Sequence, residues 1–376
     1  MRDTIGILYA NSDGDQLQGL AQYRPIAAVP FGGRYRLLDF ALSNMVNSGL
    51  RTIGMITPFF YRPLLDHLGA GKSWFLDRKA GGLYILPGAI NGLRNKNKFY
   101  IKDLKLNYEF LYKDFAENVI ISSCNQVFNL HYEEALSFHE RMSADVTFIY
   151  REDGCDGAQP GQGCLNIGND QAVHRIEKSL SQEPTHSSND IVIGNSLGIL
   201  IIRRHLLMEI IKGYHTVDTA DLMEVISENL NSLRVYGYPF TGYIKSINSV
   251  QDYFNGNMDL LNLPIREKLL LGENRIHTKI IDNPPTRYGS HAYIKNSLIS
   301  SGCEIDGEVE NSVLSRGVIV ERGAKIKNSI ILQKCVIRSD AKLDFVILDK
   351  SLEVDMGNII NGRQNHPLVM PKKPLI

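Results

Sequence analysis

Asn296-Ser297-Leu298-Ile299, Asn311-Ser312-Val313-Leu314 and Asn328-Ser329-Ile330-Ile331 recur at spacings of 15 and 17 residues, and Asp344-Phe345-Val346-Ile347 follows 16 residues further on. Glycines at Gly302, Gly307, Gly317 and Gly323 fall between these short apolar runs. Self-similarity at this period predicts a parallel β-helix built from near-hexapeptide turns, in which each coil buries its inward Ile, Val or Leu on the next. Three to four coils would then share one apolar prism. An antiparallel sandwich would space its strands by about 8 to 12 residues and has no use for a repeated Asn-Ser pair.

Upstream of the repeats, Asn283-Pro284-Pro285 ends regular structure, because the second proline restricts the first and neither donates a backbone hydrogen bond. This places a linker over 264–290 and the β-helix domain over 291–376. Before it the pattern changes. Thr4 to Tyr9, Thr52 to Ile56, Asn118 to Ser122, Val146 to Tyr150 and Leu197 to Ile202 are short, β-branched and bounded by polar residues, as buried strands are. Tyr132 to Met142 and Leu206 to Lys212 read as helices between them. The alternation predicts an α/β domain over 1–263, a doubly wound, mostly parallel sheet with helices on both faces. Asp153 to Gly163, with Pro160 and Asp156-Gly157, reads as an irregular loop.

Composition narrows the function. Lys plus Arg equals Asp plus Glu at 41 each, so there is no bulk field for a nucleic-acid backbone or an anionic membrane, and any bound anion must be held locally. Five cysteines without a C-x-x-C pair suit neither a disulfide framework nor a zinc site and are expected to be reduced. The N-terminal apolar run is too short for a signal peptide, and no stretch approaches the roughly 18 apolar residues of a membrane span. A cytoplasmic protein is expected.

One segment is far more specific. Val29-Pro30-Phe31-Gly32-Gly33-Arg34-Tyr35-Arg36-Leu37-Leu38-Asp39-Phe40-Ala41-Leu42-Ser43-Asn44, continuing through Asn47-Ser48-Gly49, resembles the P-F-G-G-[KR]-[YF]-R-[IL]-[IL]-D-F-x-L-S-N-x-x-N-S-G signature of ADP-glucose pyrophosphorylase, or glucose-1-phosphate adenylyltransferase. That family joins a nucleotide-diphospho-sugar transferase-like domain to a left-handed β-helix, so the resemblance covers the whole chain. It implies storage-glucan synthesis, oligomeric assembly and control by metabolites. The position of Arg34 is, in the family, a lysine that contacts the allosteric effector. Arg34 and Arg36 are therefore candidates for binding a phosphorylated metabolite, and arginine meets phosphate bidentately.

The family's reaction joins ATP to glucose 1-phosphate and needs a glycine-rich loop, cations and magnesium-holding carboxylates. Each element departs here. The G-G-x-G-x-R-L loop is replaced by Asn11-Ser12-Asp13-Gly14-Asp15-Gln16-Leu17, which adds two acids and substitutes Gln16 for the arginine. Ile26 stands where the family has a lysine. The first metal carboxylate is Asn125 and the second is Ser246, so no metal ligands are expected and a magnesium cofactor is not. Phe99-Tyr100-Ile101-Lys102-Asp103-Leu104-Lys105-Leu106 replaces the W-Y-x-G-T-A-D-A nucleotide loop. Losing one preorganised charge-stabilising group typically costs about 10²- to 10³-fold in rate, and several are missing. No catalytic residues are assigned. A sugar-phosphate remnant persists at Glu177 and Lys178, within Arg175-Ile176-Glu177-Lys178, and at Ser196 in Asn195-Ser196-Leu197-Gly198-Ile199.

The resemblance is thus to the GlgD-type, non-catalytic regulatory subunit of the family. It implies a catalytic ADP-glucose pyrophosphorylase subunit as partner in a hetero-oligomer, a mixed tetramer. The alternative is an active sugar-1-phosphate nucleotidyltransferase whose degenerate loop is rescued elsewhere. An acyltransferase reading of the β-helix has only His291 and His366 as candidate bases, one at each edge, and a dinucleotide oxidoreductase lacks G-x-G-x-x-G after the first strand.

Overall fold

A computed structural model describes residues 3–10, 14–58, 60–88, 98–152, 163–177, 191–214, 220–272 and 274–372. Asn11, Ser12, Asp13, Lys178 and nearly all of the loop expected over 153–163 lie outside the described residues.

Among the described residues, nine strands form the main sheet of the first domain: β1 Thr4–Tyr9, β2 Thr52–Thr57, β3 Gly82–Pro87, β4 Asn118–Ser123, β5 Val146–Arg151, β6 Cys164–Gly168, β7 Val173–Glu177, β8 Ile191–Arg203 and β9 Val235–Pro239. Their order is β7-β6-β8-β4-β1-β2-β3, with β5 paired to both β8 and β9. The β3-β2-β1-β4 half is wholly parallel. The long β8 runs against β4, β5 and β6, so seven strands share one direction and β7 and β8 oppose them. Strands such as β1 and β4 are buried along their whole length, which is why they read as unbroken apolar runs instead of alternating ones. Among the described residues, no helix is long and apolar enough to cross a membrane.

The polar residues of the signature segment are largely architectural. Helix Leu37–Asn47 starts where Asp39 accepts a hydrogen bond from the Arg36 backbone N–H at 3.0 Å. Asn44 bonds the backbone of Phe128 and Leu130, Ser43 accepts from the His277 N–H at 2.9 Å, and Asn47 donates to the Arg275 carbonyl at 2.9 Å. Gly33, at φ 78°, lies so close to Ser300 and Leu314 of the β-helix that a Cβ would collide with them. One loop therefore fixes the sheet, the connecting segment and the β-helix to each other.

The second domain consists of three five-stranded parallel sheets. Asn296, Asn311 and Asn328 occupy corners at φ 43–46°, and their side chains form a ladder ending on Asp344, with steps of 2.9, 3.4 and 2.8 Å. The serines stack likewise, Ser297 accepting from Ser312 N, Ser312 from Ser329 N, and Ser329 from Val346 N. The repeated Asn-Ser pair thus satisfies corner backbone groups from one coil to the next. There are five coils, more than the three to four expected. The first begins at Arg287–Tyr288, inside the stretch read as linker, and the last ends at Leu368–Met370, where the Asn-Ser signature has lapsed.

The connecting stretch is itself packed. Leu269, Leu270 and Ile276 are buried in a cluster with Phe31, Leu37, Phe40 and Tyr253 of the first domain and Ile330, Leu332 and Ile347 of the β-helix. The domains share this core, so they move as one packed unit and not about a loose hinge. Cys124, Cys303 and Cys335 are free and buried. Cys164 is disulfide-bonded, which corrects the expectation of uniformly reduced cysteines. Cys155 lies outside the described residues.

His139 gives the first domain a pH dependence. It is fully buried, bonded through Nδ1 to Thr147 at 2.8 Å, and burial together with the nearby Arg203 cation pushes its pKa down to about 4. An unfolded histidine titrates near 6.5, so between about pH 6.5 and 4 the unfolded chain binds a proton the native state refuses. Stability present above pH 6.5 is therefore lost on acidification, by on the order of 2–3 kcal/mol. Replacing His139 by glutamine should flatten the melting-temperature slope over that window; superimposable slopes would refute the assignment.

Candidate functional site

The C-terminal ends of β1, β2 and β4 carry the segments that would surround a nucleotide and its metal. Past β4 the chain turns through Asn125 into Gln126–Phe128, which pairs antiparallel with Ile244–Ser246 and sets Ser246 opposite Gln126. Both sequence-assigned positions, Asn125 and Ser246, are thus brought together. They meet as neutral groups. Asn125, fully buried, donates through Nδ2 to Asn248 Oδ1 at 2.6 Å, and its carbonyl accepts from Ile247 N at 2.8 Å. Gln126 donates to the Leu197 carbonyl at 2.6 Å and to Ser246 Oγ at 3.3 Å.

Magnesium does not fit this donor set. Hard dications take carboxylate oxygens, whereas amides and a hydroxyl bring no charge to offset the ion's desolvation. Asn125 Oδ1 and Gln126 Oε1 are buried acceptors without a protein hydrogen-bond partner, yet both are neutral. The adjacent carboxylate, Asp252, is engaged as a helix cap, accepting from Ser249 N at 3.0 Å and Asn248 N at 3.3 Å.

Of the segment standing in for the phosphate loop, the structure describes the residues from Gly14 onward. From Gly14 the chain enters a 3₁₀ segment, Asp15–Ala21, broken at Gln18 (φ 51°, ψ −139°). Leu17 and Leu20 plunge into the interdomain core, while Asp15 and Gln16 face outward. Backbone amides tied up in a tight helical turn do not form the open cradle that a triphosphate requires. A cavity of about 530 Å³ remains between this segment and Pro58 and Phe60. Phe99 to Tyr100 is held by a bridge to Asp221, whose carboxylate accepts from Phe99 N at 3.0 Å and which burial pushes up to about 6. Ile101 and Leu104 then bury into the core as the next helix.

Cations gather at the domain junction instead. Arg34 is exposed and lies over the Tyr35 ring at 5.3 Å, and half-buried Arg36 follows it. The β-helix contributes Arg316, which interacts electrostatically with Arg34, and Lys350, which feels Arg24, Lys372 and Arg36. Burial first, and the neighbouring cations second, hold Arg316 and Lys350 below their ordinary values. Burial also lowers Arg36, which Asp39 and Asp66 only partly offset. Two of the nearby carboxylates are already occupied: Asp349 pairs with Arg24 in a buried salt bridge, and Asp39 bonds His67 at 2.7 Å. Half-buried cations short of counter-charge make this junction a candidate anion site, since guanidinium groups favour phosphate. Sequence reading found Arg34 and Arg36 but not Arg24, Arg316, Lys350 or Lys372. Those four stand outside every repeated or signature motif, and only the fold assembles them.

Glu177 and Ser196, expected to belong to a sugar-phosphate remnant, lie elsewhere. Glu177 ends β7 opposite Cys164, and Cys164 in turn lies opposite Asn195, beside Ser196. The Glu177 carboxylate is paired with Arg175 at 3.0 Å, and Ser196 is fully buried with its hydroxyl near Gly198 N.

The chain matches a nucleotidyl transferase family profile over residues 5–195 and a GlmU-like C-terminal hexapeptide profile over residues 278–366. It is similar to the glycogen biosynthesis protein GlgD of Bacillus subtilis, 31% identical over 368 residues that span 98% of this chain and 95% of that protein. It is also similar to the glucose-1-phosphate adenylyltransferase of Clostridium kluyveri, 33% identical over 339 residues spanning 88% and 86% of the two chains. The corresponding enzyme of Clostridioides difficile is 30% identical over 348 residues, 89% and 86%.

Proposed function

Because the chain belongs to the family that contains GlgD and glucose-1-phosphate adenylyltransferase, we propose that it serves glycogen synthesis as a regulatory, catalytically deficient subunit assembled with a catalytic adenylyltransferase chain. The observation that carries this reading is the buried Asn125 to Asn248 amide contact at the position of a metal carboxylate. A pocket closed by amide hydrogen bonds holds its strands together without an ion and requires none. The work left to such a chain is coupling: its own conformational preference, passed through shared interfaces, shifts the partner's equilibrium. Its cofactor requirement is accordingly none, and its ligand a phosphorylated metabolite bound at Arg34, Arg36 and the β-helix cations.

Mixing purified chain with the catalytic paralogue tests the reading. Co-elution, with a shift of about 5- to 150-fold in the partner's effector sensitivity, is the expected outcome for a typical allosteric coupling. Separate elution with an unaltered rate and effector response would defeat it. Arg34→Ala should lower the mixture's response to the effector at least tenfold, the order of one lost charge-assisted phosphate contact, while leaving assembly intact. An unaltered response would remove Arg34 from the site.

A second reading, an active transferase, draws on one observation: the adenylyltransferases named above resemble the chain as closely as GlgD does. Overall identity does not separate the two; the pocket chemistry favours the first.

A further inference from the structure

Segment 15–21, which lines the cavity beside Pro58 and Phe60, is pinned by the C-terminal end of the β-helix. Gly19 lies against Pro371 so closely that a Cβ there would overlap the proline ring. Arg24 uses one guanidinium for two tasks. Its Nε donates to the Leu20 carbonyl at 2.7 Å, fastening the 3₁₀ segment, and its Nη2 pairs with Asp349 across the domain boundary. Asp349 also accepts from Lys350 N at 2.7 Å and Lys372 N at 3.3 Å, and its own N–H donates to the Met370 carbonyl at 3.0 Å. Segment 15–21, Arg24, Asp349 and strand 368–372 therefore form one continuous clamp. Its central cation, Arg24, faces Lys350 and Arg36 of the anion site.

We propose that this clamp is a strap worked by the candidate anion site: an anion seated at Arg36, Lys350 and Lys372 competes with Asp349 for Arg24 and loosens segment 15–21 from strand 368–372. The competition is direct, because a guanidinium turned toward an incoming phosphate gives up its carboxylate partner, its hold on Leu20, or both. The segment is primed for release. It is a 3₁₀ segment broken by a non-glycine residue at positive φ, and it leans on Arg24 and Pro371. The pocket mouth would then change state when the effector binds, which deepens the effector-site reading above and rests on it.

Hydrogen exchange of the backbone amides from Gln18 to Gln22, read by mass spectrometry on the full chain, tests the strap. Asp349→Asn without added anion should speed their exchange at least tenfold relative to wild type, the order expected for one charged hydrogen bond lost. Because Asp349→Asn weakens a buried site, Gly19→Ala serves as the second variant, since it displaces Pro371 and leaves every charge in place. Exchange as slow as wild type in both variants would overturn the strap. For wild type, titration with inorganic phosphate or a hexose bisphosphate, with binding followed by calorimetry, should speed the same amides and add less than twofold in Asp349→Asn. Measurable heat of binding with unchanged exchange would overturn the coupling. Absence of binding would instead overturn the effector site and with it the anion's role, leaving the two variants to decide the clamp.

Discussion

Installing aspartate at both Asn125 and Ser246 is expected to lower the unfolding midpoint in metal-free buffer and to make it magnesium-dependent, without creating turnover. Asn125 is completely buried and its amide donates to Asn248, so a carboxylate there loses the donor and places charge in a site lined by neutral amides. Ser246 sits opposite Gln126 in the same strand pair, and a second carboxylate adds like-charge repulsion. Leaving buried charge uncompensated costs about 3–5 kcal/mol, and millimolar magnesium should recover part of it by bridging the two acids. Wild type should melt at the same temperature with and without the ion. Gln16 and Ile26 remain in place of an arginine and a lysine, so phosphate neutralisation is still missing and the double variant stays inactive. A magnesium-dependent melting temperature in wild type, or a double variant as stable as wild type in chelator, would contradict the described pocket.

Removing Arg24 should have a comparable effect through a different mechanism. The Arg24–Asp349 pair is almost inaccessible, its side chains 9% and 2% exposed, and it joins residues 325 positions apart. Arg24→Met leaves Asp349 buried without its cation, for which a loss of about 3 kcal/mol or more is expected. The second change Asp349→Leu should return at least half of that loss, since replacing the whole pair by apolar groups gives up its Coulomb attraction but also removes both desolvation penalties and leaves no buried charge unpaired. Denaturant midpoints for the wild type, both single variants and the double variant measure the coupling. Strict additivity of the two single losses would show that the pair does not join the domains energetically.

The sequence made the repeat legible because a β-helix coil needs the same corner solved every turn: Asn at positive φ and Ser bridging to the next backbone N–H leave a periodic trace. The first and last coils were not legible for the same reason, since Arg287–Tyr288 and Leu368–Met370 are edge strands whose corners carry no Asn-Ser pair. Pro284-Pro285 correctly marked a break in regular structure, but a break in backbone pattern says nothing about burial, and Leu269, Leu270 and Ile276 pack into the shared core. At the pocket, Asn125 and Ser246 were assigned from the apolar runs and motif remnants beside them, and the structure places them on one strand pair. Their bonding partners could not be read. Asn248 reaches Asn125 only because the Ser249–Asp252 cap fixes the turn before helix Val250–Asp259. The cation cluster was half visible: Arg34 and Arg36 belong to a motif, whereas Arg316 and Lys350 join them only through the packing of the β-helix on that loop. The signature's serines and asparagines, which look functional in a motif, spend their hydrogen bonds on Phe128, Leu130, Arg275 and His277.

Turnover by the isolated chain is the measurement closest to the central claim. With ATP, glucose 1-phosphate and saturating magnesium, the isolated chain should turn over at least about 10⁴-fold more slowly than a catalytic family member, roughly the product of two lost charge-stabilising groups. ADP-glucose and pyrophosphate released by this chain alone, within about tenfold of an active enzyme of ordinary kcat, would contradict it.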